Sequence, residues 1–172
     1  MASMKKLDEK TFDNALAAFD AGYDLTYRYH ISRHWYGEHF IYPAEAQIIQ
    51  AVGKNPGTTS VRLSRDNPKS RSAYSQIIRK MEKKGYIEQT INRENRREQL
   101  LHLTASGEEL FAAHTQVERF YLNRTLDMLR DFSEEEVLTY IRVQERLNQS
   151  FELDVIDGER AIEKHQKDGK NT

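Results

Sequence analysis

The polar and basic side chains of residues 70–85 offer the clearest chemistry in the sequence. Read with the period of a helix, this stretch divides into an apolar stripe and an outer stripe that contains no acid. Serine, glutamine, arginine and lysine donate the hydrogen bonds that base edges and phosphates accept. The candidate contact residues, with the basic flanks and the preceding serine, are Ser70, Arg71, Ser72, Ser75, Gln76, Arg79, Lys80 and Lys83. The pattern indicates either a surface that reads nucleic acid or an ordinary solvated basic face.

The opposite stripe of the same stretch positions these side chains. Its apolar members recur at steps of three and four residues, which predicts a helix packed on a core. They are Ala73, Tyr74, Ile77, Ile78 and Met81. Ser70 suits the N-cap of this helix, and Gly85 suits a left-handed C-terminal cap.

The preceding stretch predicts two further helices. Pro43 suits the first turn of one helix, which Gly53 ends. Thr58 or Thr59 caps a short helix, and Asn67–Pro68 must stop it because a residue before proline avoids the helical region. A short helix, a tight connection and a helix with a polar outer stripe together form a helix-turn-helix candidate.

After Gly85 the hydrophobic period changes from that of a helix to that of a strand. Tyr86–Ile91 and Glu98–Leu103 read as paired strands joined by a polar loop. That loop contains Arg93, Arg96 and Arg97. A basic hairpin directly after a recognition helix predicts a wing that reaches the sugar-phosphate backbone or the minor groove.

Charge is distributed unevenly along the chain. The formal net charge is −1, but residues 54–97 contain twelve basic and four acidic residues, a net charge of +8. The remainder carries 14 basic and 23 acidic residues, a net charge of −9. A basic centre between acidic ends suits a DNA-contacting module whose flanking parts do not bind a polyanion.

Several function classes are excluded by residues that the sequence lacks. Cysteine is absent, which rules out disulfides, thiolate catalysis and cysteine metal sites. There is no Gly-rich phosphate loop, no His-Glu-x-x-His and no nucleophile elbow, so we predict no enzyme activity and no cofactor. The absence of a membrane-length apolar run or a hydrophobic signal core predicts a cytoplasmic protein.

The N-terminal stretch, from Leu7 to about Phe40, reads as one long helix, continuous or broken near Gly37. Its aromatic stripe is too broad for a lone surface helix and indicates burial against another helix or another subunit. His30 and His34 are four residues apart, so both rings could face a metal, with His39 nearby. The competing interpretation makes these histidines polar members of a buried aromatic seam, without a metal.

The C-terminal stretch predicts further helices. Thr104 caps a long one, and the Ser133–Glu136 capping box starts another that continues to about Phe151. A short helix over 155–164 and a solvated tail over 167–172 are expected to follow.

The wing carries a recognisable signature. Asn95-Arg-Arg97, followed by Leu103-Thr104 and Gly107, resembles the Asp-x-Arg…Leu-Thr-x-x-Gly signature of the MarR (multiple antibiotic resistance regulator) family. The resemblance extends over Pro43 to Leu110, through Pro56-Gly-Thr-Thr, Leu63-Ser, Ser70-Arg-Ser-Ala-Tyr-Ser-Gln and Met81-Glu-Lys-Lys-Gly-Tyr-Ile. Asn95 stands where the family has aspartate, so an ion pair that would brace the wing is missing.

The resemblance implies a homodimeric transcription regulator, in most cases a repressor, that binds pseudo-palindromic double-stranded operator DNA under the control of a small-molecule effector. The first and last helices would form the dimer interface, for which we expect Phe12, Leu16, Phe19, Tyr23, Leu126, Leu129, Ile141 and Leu147. The effector pocket is expected near Tyr27, His30, His34 and His114. A protein-binding winged helix and a metal-responsive regulator of the same family are the alternatives.

The predicted fold class is mainly α with a small β-hairpin wing. Residues 1–42 are predicted to form a dimerisation helix and 43–104 the winged helix-turn-helix domain. Residues 105–153 are predicted to form C-terminal dimerisation helices, and 154–172 a short helix and tail.

Overall fold

The computed structural model describes residues 7–65 and 71–168. These ranges contain helices α1 (Glu9–Ile31), α2 (Pro43–Lys54), α3 (Ser60–Arg65), α4 (Arg71–Lys83), α5 (Ala105–Met128) and α6 (Glu134–Asp168). The strands are β1 (His34–Tyr36), β2 (His39–Ile41), β3 (Ile87–Ile91) and β4 (Gln99–Leu103). The chain divides into two compact units, residues 1–121 and 122–172. The predicted class, mainly helical with a small hairpin wing, is confirmed.

The core of the first unit forms where α2 and α4 pack with both hairpins and the start of α5. Its buried side chains are Tyr36, Ile41, Ala46, Ile48, Ile49, Val52, Tyr74, Ile78, Met81, Ile87, Leu101 and Leu110. Each large apolar side chain buried here contributes about 1.5–3 kcal/mol relative to its exposure. Burial of the inner stripe of α4 is therefore what turns its other face outward.

Strands β3 and β4 form the predicted wing as an antiparallel pair, with Ile87 opposite Leu103 and Ile91 opposite Gln99. The loop between α2 and α3 adds a bridge, because the N–H of Leu101 donates to the carbonyl of Thr58 at 2.8 Å. This bridge ties the start of the helix-turn-helix to the wing.

The helices of the helix-turn-helix segment begin much as predicted. Pro43 opens α2, and the hydroxyl of Thr59 caps α3 by accepting from the N–H of Arg62 at 3.2 Å. The predicted stop at Asn67–Pro68 and the Ser70 cap lie outside the described residues.

The predicted N-terminal helix to Phe40 is wrong beyond Ile31, because α1 ends there and a hairpin follows. Gly37 forms its turn with a φ of +61°, a conformation that favours glycine. Alternation along β1 and β2 buries Tyr36 and Ile41, and the outward Trp35 and Phe40 rings stack 4.8 Å apart. Burial of one face of a hairpin therefore overrides the aromatic steps that resemble a helix.

The second unit contains the end of α5 and all of α6, which begins at the predicted capping box. The carboxylate of Glu136 accepts from the N–H of Ser133 at 2.8 Å, and the hydroxyl of Ser133 accepts from the N–H of Glu136 at 3.3 Å. The predicted end near Phe151, with a separate short helix beyond it, is wrong, because α6 continues unbroken to Asp168. Gly158 lowers helix propensity, but only a proline would remove a hydrogen bond there. None of the described helices is apolar enough over its length to cross a lipid bilayer.

Candidate nucleic-acid interface

Helix α4 separates its two stripes as the sequence predicts. Tyr74, Ile78 and Met81 are buried, while the polar side chains at positions 72, 76, 79 and 83 are exposed and Ser75 is half-buried. Gly85 ends the helix with a φ of +76°, and the N–H of Tyr86 donates to the carbonyl of Met81 at 3.0 Å. The side chain of Arg71 lies outside the described residues, as does Ser70. The exposed face thus combines hydroxyl, amide and cationic donors on one rigid element.

Glu82 is an acid on the exposed part of α4, and it is bonded to the wing. Its carboxylate accepts from the side-chain amide of Gln89, on β3, at 3.0 Å. This bond fixes the acid beside the strand and couples the end of α4 to the hairpin.

In the loop of the wing, two asparagine side chains accept hydrogen bonds from backbone N–H groups. Oδ1 of Asn92 accepts from the N–H of Glu94 at 3.0 Å, and Oδ1 of Asn95 accepts from the N–H of Arg97 at 3.2 Å. The carbonyl of Asn95 accepts from the N–H of Glu98 at 2.9 Å. Two successive turns of this kind order the loop without an ion pair. The three arginine side chains, Arg93, Arg96 and Arg97, are exposed.

The wing and the start of α3 enclose a cleft of about 490 Å³. Thr59 and Ser60 line one side, and Arg96 and Arg97 line the other. The hydroxyl and guanidinium groups of this lining suit an anionic ligand such as a phosphate, and the carboxylate of Glu98 on the same lining opposes it.

Lys80 differs from the other predicted contact residues. Its ammonium lies 2.7 Å from Oε1 of Glu45, a carboxylate on α2 whose side chain is only 3% exposed. Lys84 approaches Oε2 of the same carboxylate at 3.1 Å, and the N–H of Tyr42 donates to it at 3.0 Å. Burial alone would raise the pKa of Glu45, but hydrogen bonds from Lys80, the Tyr42 N–H and Lys84 outweigh it and hold this pKa below its usual range.

Arg62 is a further candidate contact residue that was not predicted from the sequence. This arginine is exposed on α3 and lines a cleft of about 730 Å³ together with Asn55, Thr58 and Tyr74. Its place within the basic segment 54–97, on the short helix that precedes α4, is the signal that could have identified it.

The histidines do not form the predicted helical pair. His30 is in α1 but His34 is in β1, where its Nε2 donates to the carbonyl of Tyr29 at 2.9 Å. His39 contacts the hydroxyl of Tyr86 through Nδ1 at 3.1 Å. Across the part of the chain that the structure describes, no three His, Asp or Glu side chains converge on a common metal position. The i, i+4 metal geometry is therefore wrong, because the helix ends before His34.

Tyr29 and Tyr36, which were not among the predicted effector-pocket residues, connect three of the four that were. The ring of Tyr29 lies 5.5 Å from that of His30 and 4.2 Å from that of His34. Its hydroxyl is 3.4 Å from the hydroxyl of Tyr36, whose ring lies 4.9 Å from His114. The fourth residue, Tyr27, is exposed, and its ring stacks at 6.4 Å on that of Tyr23, one helical turn earlier in α1.

His114 is buried at the contact between α5 and α2. Its Nδ1 lies 3.4 Å from Oε1 of Gln50, and its Nε2 lies 3.7 Å from a carboxylate oxygen of Glu118. Burial lowers the pKa of His114; the carboxylate of Glu118 opposes this shift, and the charge of Lys54 adds to it. Burial likewise raises the pKa of Tyr36, with a further contribution from its hydrogen bond to Tyr29.

The residues predicted to form a dimer interface are accessible in the single chain. Phe12, Tyr23, Leu126, Leu129 and Ile141 are exposed, and Leu16, Phe19 and Leu147 are half-buried. Further large apolar side chains are exposed on α5 and α6, including Leu122, Leu138 and Tyr140. Apolar exposure of this extent is typical of a surface that a partner covers.

A model of the MarR family matches residues 41–98, which hold α2, the helix-turn-helix and the wing up to its loop. No curated protein sequence matches the chain.

Solved structures share the fold. FabT of Streptococcus pneumoniae, crystallised in complex with DNA, is 24% identical, with a TM-score of 0.59 over 84% of this chain and 98% of FabT. The adhesin competence repressor AdcR of Streptococcus pyogenes is 16% identical, with a TM-score of 0.63 over 82% of this chain and 98% of AdcR. A mutant of MarR from E. coli, complexed with operator DNA, is 19% identical, with a TM-score of 0.51 over 62% of this chain and 75% of that one.

Proposed function

We propose that this chain, whose residues 41–98 match the MarR family of transcription regulators, acts as a member of that family and binds operator DNA as a homodimer. In this proposal α4 lies in the major groove and the wing contacts the backbone or the minor groove. Binding represses transcription, and a small-molecule effector changes the affinity for DNA.

The observation that carries the proposal is the outward polar face of α4 beside an ordered basic wing. Gln76 and Arg79 are exposed on a helix whose other face is packed in the core. Glutamine pairs with adenine and arginine with guanine through two hydrogen bonds each, so these side chains are suited to base readout. Ser72 and Ser75 complete the proposed base-reading set. Arg93, Arg96 and Arg97 would add contacts to phosphates or to the minor groove.

The homodimer is proposed from the exposed apolar side chains of α1, α5 and α6. A two-fold dimer presents two copies of α4, and half-sites about one helical turn apart, roughly 10 bp, would accept both. The operator is therefore expected to be pseudo-palindromic. Both DNA-complexed structures, of FabT and of the E. coli MarR mutant, have this fold, which supports the proposed partner.

The effector site is proposed around the path from Tyr29 through Tyr36 to His114. It joins α1, the first hairpin and α5, and Gln50 extends it to α2, the helix that precedes the helix-turn-helix. A ligand that separates these rings would move α2, and with it the DNA-contacting helices. Tyr27, His30 and His34 remain the proposed pocket residues on the α1 side.

Selection of bound duplexes from a random DNA pool, followed by footprinting, tests this function. We expect a pseudo-palindromic sequence, protected in two half-sites about 10 bp apart. A pool that yields no preferred sequence, or a footprint over one half-site, would contradict the proposal.

A further inference from the structure

The carboxylate of Glu45 is almost fully buried at the start of α2. It accepts hydrogen bonds from the ammonium groups of Lys80 and Lys84 and from the N–H of Tyr42. A buried carboxylate is costly unless hydrogen bonds and opposite charge compensate it. The protein therefore surrounds this carboxylate with compensating partners, two of which lie at the C-terminal end of the recognition helix.

The aromatic ring of Tyr42 strengthens the same contact. The ammonium of Lys80 lies 5.2 Å from the centre of this ring, and the guanidinium of Arg33 lies 5.1 Å from it. Such cation–π contacts favour the inward rotamer of Lys80 over one that extends into solvent. The start of α2 thus draws the ammonium of Lys80, at the C-terminal end of α4, toward Glu45.

We infer that Glu45 is a positioning residue that fixes the orientation of α4 on the DNA by holding Lys80 and Lys84. The inference rests on the proposed function, because the orientation of α4 matters only if this helix reads bases. It also reassigns Lys80 from contact with DNA to contact with Glu45.

Packing in the core does not by itself fix the orientation of α4, because it lacks directional bonds. The inner stripe of α4 packs through apolar contacts, which are not directional and tolerate small rotations of the helix. Charge-assisted hydrogen bonds of 2.7–3.1 Å require a defined position of both partners. Base readout fails when donors are displaced by about 1 Å, so a fixed helix angle favours the cognate sequence over others.

The first test replaces the carboxylate and keeps its volume. For the full-length Glu45→Gln protein, we expect affinity for the selected operator to fall about tenfold and affinity for random duplex DNA to change less than twofold. Glu88→Gln is the matched control, because it changes the net charge equally from an exposed position on β3. Operator preference retained by folded Glu45→Gln within twofold of wild type would overturn the inference.

The second test asks what Lys80 contacts. Lys80→Gln should reduce operator preference as Glu45→Gln does, and the double variant should show no additional loss. Equal weakening on operator and random DNA, with a salt slope lower by about one, would assign Lys80 to phosphate and overturn the inference.

Amide hydrogen exchange without DNA separates this inference from the proposed function. Glu45→Gln should increase exchange at the end of α4, around residues 80–86, by at least threefold relative to Glu88→Gln. If Glu45→Gln does not fold, the same comparison with Lys80→Gln decides. Unchanged exchange in a protein that keeps operator preference overturns the positioning role alone, whereas wild-type protein without operator preference overturns the proposed function on which the inference rests.

Discussion

Oδ1 of Asn95 accepts a hydrogen bond from the backbone N–H of Arg97 at 3.2 Å. The family signature has aspartate at this position, and the sequence suggested that a neutral residue would leave the wing without a brace. The structure shows that the amide oxygen still closes the turn, because the acceptor, and not the charge, is what the backbone N–H requires.

Asn95→Ala should therefore loosen the wing. Loss of one such hydrogen bond costs about 1 kcal/mol, which corresponds to about fivefold weaker DNA binding. The salt slope should remain at the wild-type value, because no cation is removed. Fluorescence anisotropy titrations at several salt concentrations measure both quantities. Asn123→Ala, at an exposed position on α5, is the control, and an unchanged affinity for Asn95→Ala would show that the turn does not order the wing.

Gln76→Ala should relax base preference at one position in each half-site. The exposed amide can form two hydrogen bonds with adenine, whose loss costs about 1–3 kcal/mol at that position. Binding to a set of operators with single base changes measures this preference. Gln116→Ala, exposed on α5, should leave the preference unchanged. Equal weakening on all sequences would assign Gln76 to the DNA backbone.

Leu126→Glu should dissociate the dimer. In a two-fold dimer this substitution places two unpaired carboxylates in the interface, and the burial of each costs several kcal/mol. Sedimentation equilibrium should show a monomer, with operator affinity greatly reduced. Ile91→Glu, which places a charge at an exposed apolar position on the wing, should remain dimeric. A dimeric Leu126→Glu protein would place the interface elsewhere.

The free energy of unfolding should decrease as the pH falls below about 6.5, the ordinary histidine value. Burial lowers the pKa of His114, so below that pH the unfolded chain binds a proton that the folded chain does not. Stability due to the neutral ring is therefore present above pH 6.5 and decreases until the pH reaches the folded pKa.

Urea unfolding between pH 8 and pH 5 measures this dependence. His114→Gln should show a shallower decrease over that range, even if its stability at pH 8 is lower. His30→Gln, at an exposed position on α1, should follow the wild-type decrease. A His114→Gln protein with the wild-type pH dependence would assign the effect to another group.

The sequence predicts those parts of the interface that local pattern determines. The stripes of α4 extend over more than three turns, and Gly85 marks the end of the helix. Both the two faces of α4 and its C-terminal end could therefore be predicted. The first hairpin was missed because three-residue strands are too short to show alternation, and its aromatic residues continue the helical steps of α1.

Contacts distant in sequence could not be predicted. The pairing of Glu45 with Lys80 joins residues from two helices, and both look like ordinary surface charges in the sequence. Only the packed arrangement of α2 and α4 brings the carboxylate into the interior and shows that Lys80 faces it. The contact of Tyr36 with His114 likewise could not be predicted, because the two residues are distant in sequence.

The central claim is that this chain binds DNA through α4 and a basic wing, and the salt dependence of affinity for wild type and Arg96→Ala tests it most directly. On the selected operator and on random DNA, the slope of log affinity against log salt should be lower by about one for Arg96→Ala. Arg130→Ala, which removes an exposed arginine between α5 and α6, should keep the wild-type slope. Wild-type binding that does not weaken with salt, or an Arg96→Ala slope unchanged on both DNAs, would contradict the account.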